Sequence, residues 1–110
     1  MKVHLIRKET LEVYAWLNPQ SRGPMEEWLY KIRHADWKMP EDIKAGFAGA
    51  DLLGRGSNRV VFNIGGNHYR LIAKYSFGEK QVHLFISWVG THAEYDRVCK
   101  SNEQFTIQKF

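Results

Sequence analysis

Apolar residues recur along this chain with two different rhythms. Up to Ile32 they return every three or four positions, and from Asn58 onward they alternate with polar residues one by one. Val3–Ile6 is a short predicted strand. Leu11, Tyr14, Ala15, Trp16 and Leu17 then form a broad helical stripe, which Asn18-Pro19 stops. A second helix is predicted from a start signal at Ser21–Pro24, with Met25, Trp28, Leu29 and Ile32 at i, i+3, i+4 and i+7. Glu26 and Glu27 in its first turn, and Lys31 and Arg33 near its end, would complement the helix dipole. At this spacing the aromatic stripe is predicted to pack into a core. The stretch Trp37–Gly56 reads as a connection, with a turn at Pro40–Lys44 and a strand at Asp51–Leu53.

The alternating half predicts three antiparallel strands, Arg59–Ile64, Asn67–Phe77 and Gln81–Val89, joined at Gly65-Gly66 and at Gly78-Glu79-Lys80. A two-residue turn at Gly65-Gly66 would set Ile64 opposite Asn67, Val61 opposite Arg70 and Arg59 opposite Ile72. One face then holds Val60, Phe62, Tyr69, Leu71, Ala73 and Tyr75 and should bury the helices. The other holds Arg59, Val61, Asn63, His68, Arg70, Ile72 and Lys74, a mixture that suits a binding cleft. The third strand would add Leu84, Ile86 and Trp88 to the apolar face and Phe85, Ser87 and Val89 to the mixed one, with Val89 beside Arg70. Thr91 and Glu94 have capping-box spacing for a short final helix, on which His92 and Tyr95 share one side. The fold class is therefore α+β, an antiparallel twisted sheet on two N-terminal helices with a short C-terminal helix.

Charge sharpens this pattern. The net charge is +4, yet residues 1–52 carry eight Lys/Arg against eight Asp/Glu, whereas residues 53–110 carry eight against four. Between Leu52 and Gly78 lie Arg55, Arg59, Arg70 and Lys74 and no acid. A cationic sheet face of this kind suits a polyanion. At 110 residues one core is expected, so residues 1–110 read as a single domain. Cys99 is the only cysteine, which leaves no intramolecular disulfide and fits a reducing compartment. No signal peptide or membrane span is apparent, and a cytoplasmic location is expected.

Cutting RNA without a metal requires a base for the ribose 2'-OH, cations for the crowded phosphorane and an acid for the leaving 5'-oxygen. His92, Arg70 and Tyr95 are candidates for these roles. Nothing calls for a metal or another cofactor: HExxH is absent, and His68, His83 and Asp96 lack a tight ligand spacing.

The segments Asn58-Arg59-Val60-Val61-Phe62-Asn63-Ile64-Gly65-Gly66-Asn67-His68-Tyr69-Arg70-Leu71-Ile72 and Gly90-Thr91-His92-Ala93-Glu94-Tyr95-Asp96 resemble the HigB toxins of bacterial type II toxin-antitoxin systems. That resemblance extends over essentially the whole chain. It implies the compact RelE/ParE-like fold and an mRNA interferase acting on the ribosome, silenced by a HigA-type helix-turn-helix antitoxin. It also implies cleavage that leaves a 2',3'-cyclic phosphate and a 5'-OH. The expected catalytic set is His92 for proton transfer, Arg70 for phosphate stabilisation, Tyr95 as assisting acid or stacking group, and Lys74 as a further cation. Arg59, Asn63, Asn67 and His68 are the expected RNA contacts. Two other readings are a ParE-like toxin directed at a protein target and a non-catalytic RNA-binding module that stacks bases on Phe85 or Tyr95.

Overall fold

The computed structural model describes residues 1–110. The elements follow as β1 (Lys2–Ile6), α1 (Lys8–Leu17), α2 (Arg22–Arg33), α3 (Glu41–Gly46), β2 (Asp51–Leu53), β3 (Arg59–Ile64), β4 (Tyr69–Phe77), β5 (Gln81–Thr91) and α4 (His92–Lys100). One five-stranded sheet has the order β1-β5-β4-β3-β2. The α+β architecture expected from the sequence is present, with two amendments. The sheet is mixed rather than wholly antiparallel, because β1 runs parallel to β5 with Val3 beside Val82 and Leu5 beside Leu84. The predicted turn after Pro40 is a helix, α3, whose Ile43 is fully buried in the core alongside α1 and α2.

The first helices form for the reasons the apolar spacing suggests. Met25, Trp28 and Ile32 of α2 are buried, and Leu11 of α1 lies with them against Val60, Phe62, Leu71, Ala73, Leu84 and Ile86. Trp28 meets Phe62 edge-on at 5.2 Å between ring centres, and Phe47 meets Phe62 at 5.0 Å. Because α2 begins at Arg22, Glu26 and Glu27 lie beyond its first turn, not within it as expected. Ser21 does not cap the helix. Its buried hydroxyl donates to the Asn18 carbonyl at 2.7 Å.

The central hairpin departs from the predicted register by two residues. Its loop is Gly65–His68 rather than Gly65-Gly66, so Ile64 pairs with Tyr69, Asn63 with Arg70 and Arg59 with Lys74. Gly65 and Gly66 both take the left-handed conformation at φ +64°, and the His68 amide closes the loop on the Gly65 carbonyl at 3.2 Å. A shift of two preserves the face of every side chain. Val60, Phe62, Leu71 and Ala73 accordingly face the helices as predicted.

A second irregularity does change faces. Tyr75 pairs with Leu84 and Ala73 with Ile86, as expected, but Ile72 pairs with Trp88, so Ser87 is the extra residue of a bulge. Trp88, predicted for the helix face, therefore joins Val61, Ile72 and Val98 in a small core on the opposite face. Val89, predicted for the mixed face, enters the main core opposite Leu71. Alternation cannot survive an inserted residue.

The chain after α4 completes this second core. Ile107 packs on it, the Lys109 amide donates to the Ser87 carbonyl at 2.8 Å, and the Arg55 guanidinium lies 4.3 Å from the Phe105 ring centre. Arg59, expected to contact RNA, is buried, and its Nη1 donates to the carbonyls of Ile107 at 2.6 Å and Gln104 at 3.3 Å. Burial lowers its pKa, and the two carbonyls offset that cost of desolvation. Part of the mixed face is thus the seat of the C-terminal segment and not a cleft. No helix is long and apolar enough to cross a membrane.

Arg59→Ala should cost about 2–3 kcal/mol of stability, since it removes charged hydrogen bonds from two buried carbonyls. Urea unfolding measures the loss, and faster exchange of the Lys109 amide should accompany it. Unchanged exchange would show that Arg59 does not hold the segment.

Candidate functional site

Two backbone constraints gather side chains at one end of the sheet. Arg70 on β4 pairs with Gly90 on β5, and the His92 amide donates to the His68 carbonyl at 2.9 Å. The β3–β4 loop and the start of α4 are thereby pinned together. Asn63, opposite Arg70, borders the same end. Of the residues selected from the sequence, Asn63, Asn67, His68, Arg70, His92 and Tyr95 converge here. Lys74 does not, because it lies four residues along β4 from Arg70, about 13 Å at strand spacing, although it is exposed. Arg59, its partner across the strands, points into the second core.

Arg70 is only 7% exposed, and its fork is aimed by its own loop. Nη2 donates to Asn67 Oδ1 at 2.6 Å and Nη1 to the Tyr69 carbonyl at 3.0 Å. Asn67 thus orients the guanidinium, a task different from the RNA contact expected of it. A guanidinium has five N–H donors, so these bonds leave capacity for an anion.

The entry to α4 fixes the other half of the site. Thr91 Oγ1 accepts from the Glu94 amide at 3.2 Å, and Glu94 Oε1 accepts from the Thr91 amide at 2.8 Å, which completes the predicted capping box. The Thr91 backbone hydrogen bond is the main reason that the Glu94 pKa is lowered. Gly90 is needed directly before the cap. A Cβ there would lie 2.5 Å from Trp88 Cη2 and 3.0 Å from Glu94 Oε1.

His92 and Tyr95 have unlike surroundings. The His92 side chain is 44% exposed while its Nδ1 is buried, so Nε2 lies toward the open side of the ring. Tyr95 is half-buried against Trp88, 6.1 Å between ring centres and tilted by 47°. Burial first, then the neighbouring Cys99 side chain and the Asp51 carboxylate, push the Tyr95 pKa well above 10.0, and Arg70 only partly opposes them. Its phenol keeps its proton throughout the neutral range and can donate it.

Sequence reasoning overlooked Asp51 and Cys99 as neighbours of Tyr95. Cys99 stands at i+4 from Tyr95, a spacing visible in the sequence once the helix is assigned. Asp51 comes from β2 across the sheet, and no local pattern signals it. No group of three or more His, Cys, Asp or Glu side chains is arranged to hold a metal ion.

Comparison with known proteins points in one direction. Residues 21–98, from the start of α2 nearly to the end of α4, match the HigB_toxin family, described as the RelE-like toxic component of a toxin-antitoxin system. The mRNA interferase toxin HigB of Escherichia coli strain K12 is 33% identical over 94 residues, covering 86% of this chain and 88% of its own. The mRNA interferase HigB of Shigella flexneri shows the same figures. The mRNA interferase HigB of Escherichia coli O6:H1 is 28% identical over 98 residues, covering 89% and 93%.

Thr91→Ala or Glu94→Ala should each cost about 1 kcal/mol. Because folding lowers the Glu94 pKa, its charge-linked stabilisation is complete above about 4.5 and fades as pH falls through the lowered value. Stability measured against pH should therefore show the Glu94→Ala deficit shrinking under acid; a deficit constant with pH would rule out the carboxylate as its source.

Proposed function

This chain belongs to the HigB family of RelE-like toxins and, like the relatives just described, is an mRNA interferase, an endoribonuclease; we propose that it cuts messages on the ribosome with His92, Arg70 and Tyr95. The observation that supports this assignment of roles is the pinning of the Gly65–His68 loop to the start of α4, which joins the strand that carries the oriented Arg70 to the helix that carries His92 and Tyr95.

The reaction follows from those three groups. His92 Nε2 takes the proton of the ribose 2'-OH as its oxygen attacks phosphorus. Arg70 stabilises the charge gathering on the non-bridging oxygens. The P–O5' bond breaks, Tyr95 gives its proton to the departing 5'-oxygen, and the products are a 2',3'-cyclic phosphate and a 5'-OH. Tyr95 keeps its proton at neutral pH and so is available as the acid, which leaves His92 as base. Asn63 and His68 are RNA contacts beside the reacting phosphate, and Lys74 serves a more distant phosphate. This chemistry needs no metal or other cofactor.

As a family member the protein has an antitoxin partner. A HigA-type helix-turn-helix protein fits that role, and the cytoplasm, where messages are translated, is the place of action.

In a translating extract His92→Ala should slow cleavage by about 10² to 10⁴, or about 3–5 kcal/mol of barrier. Arg70→Ala should cost about 10² to 10³, whereas Lys74→Ala should weaken binding by no more than about 1 kcal/mol, an effect that salt removes. The wild-type rate should show no alkaline fall below about pH 10, since Tyr95 titrates above 10.0. Full cleavage by a folded His92→Ala protein would refute its role. Growth arrest with intact messages would instead favour a protein target.

A further inference from the structure

The imidazole of His92 has one nitrogen for the substrate and one that the reaction described above leaves unexplained. Nδ1 is shut off from solvent and makes no hydrogen bond. The group facing it is the Asp96 carboxylate, one helical turn further on, with Oδ1 3.6 Å away. That separation is too long for a direct hydrogen bond, yet a small torsional adjustment of either side chain would close it. No Lys or Arg forms an ion pair with Asp96, and it accepts no other side-chain hydrogen bond, so the carboxylate is not committed elsewhere. An orphaned ring nitrogen next to an uncommitted carboxylate is an incomplete pair.

Proton transfer makes this incompleteness consequential. A neutral imidazole with its hydrogen on Nδ1 presents a basic lone pair at Nε2, and the alternative tautomer presents none there. After Nε2 takes the proton, the Nδ1–H needs an acceptor, and water cannot reach it. His92 is also the first residue of α4, at the end of the helix where the backbone dipoles leave partial positive charge. A cation formed at that position gains from an anion one turn along.

We propose that Asp96 is a positioning residue for His92: it accepts a hydrogen bond from Nδ1–H, selects the tautomer whose Nε2 is basic, and balances the imidazolium formed during cleavage. The proposal rests on His92 being the base. A carboxylate that merely stabilised the helix as an i,i+4 pair would make a different prediction, because its loss would affect folding and not the ring.

The test uses the full-length toxin and its Asp96→Ala, Asp96→Asn, His92→Ala and His92→Ala/Asp96→Ala variants. Single-turnover cleavage on message-programmed ribosomes should fall by about 10- to 100-fold in Asp96→Ala, less than for a buried orienting carboxylate. The ribosome concentration giving half-maximal rate should change less than twofold. Asp96→Asn keeps an acceptor without the charge and should lie between. In the His92→Ala background, removing Asp96 should cost nothing more. Nitrogen-15 NMR of the ring should show the Nδ1–H tautomer in the wild type and a shift toward the Nε2–H form in Asp96→Ala. An unchanged rate in Asp96→Ala, or an equal loss with and without His92, would overturn the proposal. If His92→Ala itself retains cleavage, the assignment of the base has failed separately, and an unchanged tautomer would then overturn the role of Asp96 as well.

Discussion

The bulge at Ser87 is the constraint on which the rest of the molecule depends. One extra residue in β5 turns Trp88 out of the main core and Val89 into it, and aligns Gly90 with Arg70. The sheet thereby acquires two apolar faces. The larger holds the three N-terminal helices, and the smaller holds α4 and the segment after it. The same offset sets the start of α4 against the β3–β4 loop, so the geometry of the site and the packing of the second core have one origin.

Arg59 and Arg70 show how far a sequence pattern reaches. Both lie on the same face by alternation, and both are almost wholly buried, yet one holds backbone carbonyls of the C-terminal segment while the other stays at the open end of the sheet. Arg55 goes the same way as Arg59, through its stacking on Phe105. The acid-free window therefore divides, with two cations used to bind the chain to itself and two left for a polyanion. Nothing local distinguishes these pairs, because the difference is made by residues some 45 positions later that no periodicity assigns.

What was legible follows from short-range physics. Helix faces, the strand faces of β3 and β4 and the capping box at Thr91 derive from periodicity and spacing, and the structure has them, whereas the bulge reverses Trp88 and Val89 on β5. The direction of β1, the bulge and the docking of the last residues depend on pairing between distant segments. The meeting of the Arg70 strand with the start of α4 was legible for the same reason. Lys74 was misplaced because a shared face says nothing about distance along a strand, and Asn67 because a loop residue two positions from strand register can turn back to its neighbour.

Parity of register in the β3–β4 hairpin decides which side chain meets the solvent. The loop has two residues more than the minimal hairpin, and that even difference keeps Arg70 on its outward face. A one-residue slip of the β3–β4 pairing would instead drive the guanidinium toward the helices and bring Leu71 out to water. The pairing of Asn63 with Arg70 is thus what keeps one cation at the site and one apolar side chain in the core.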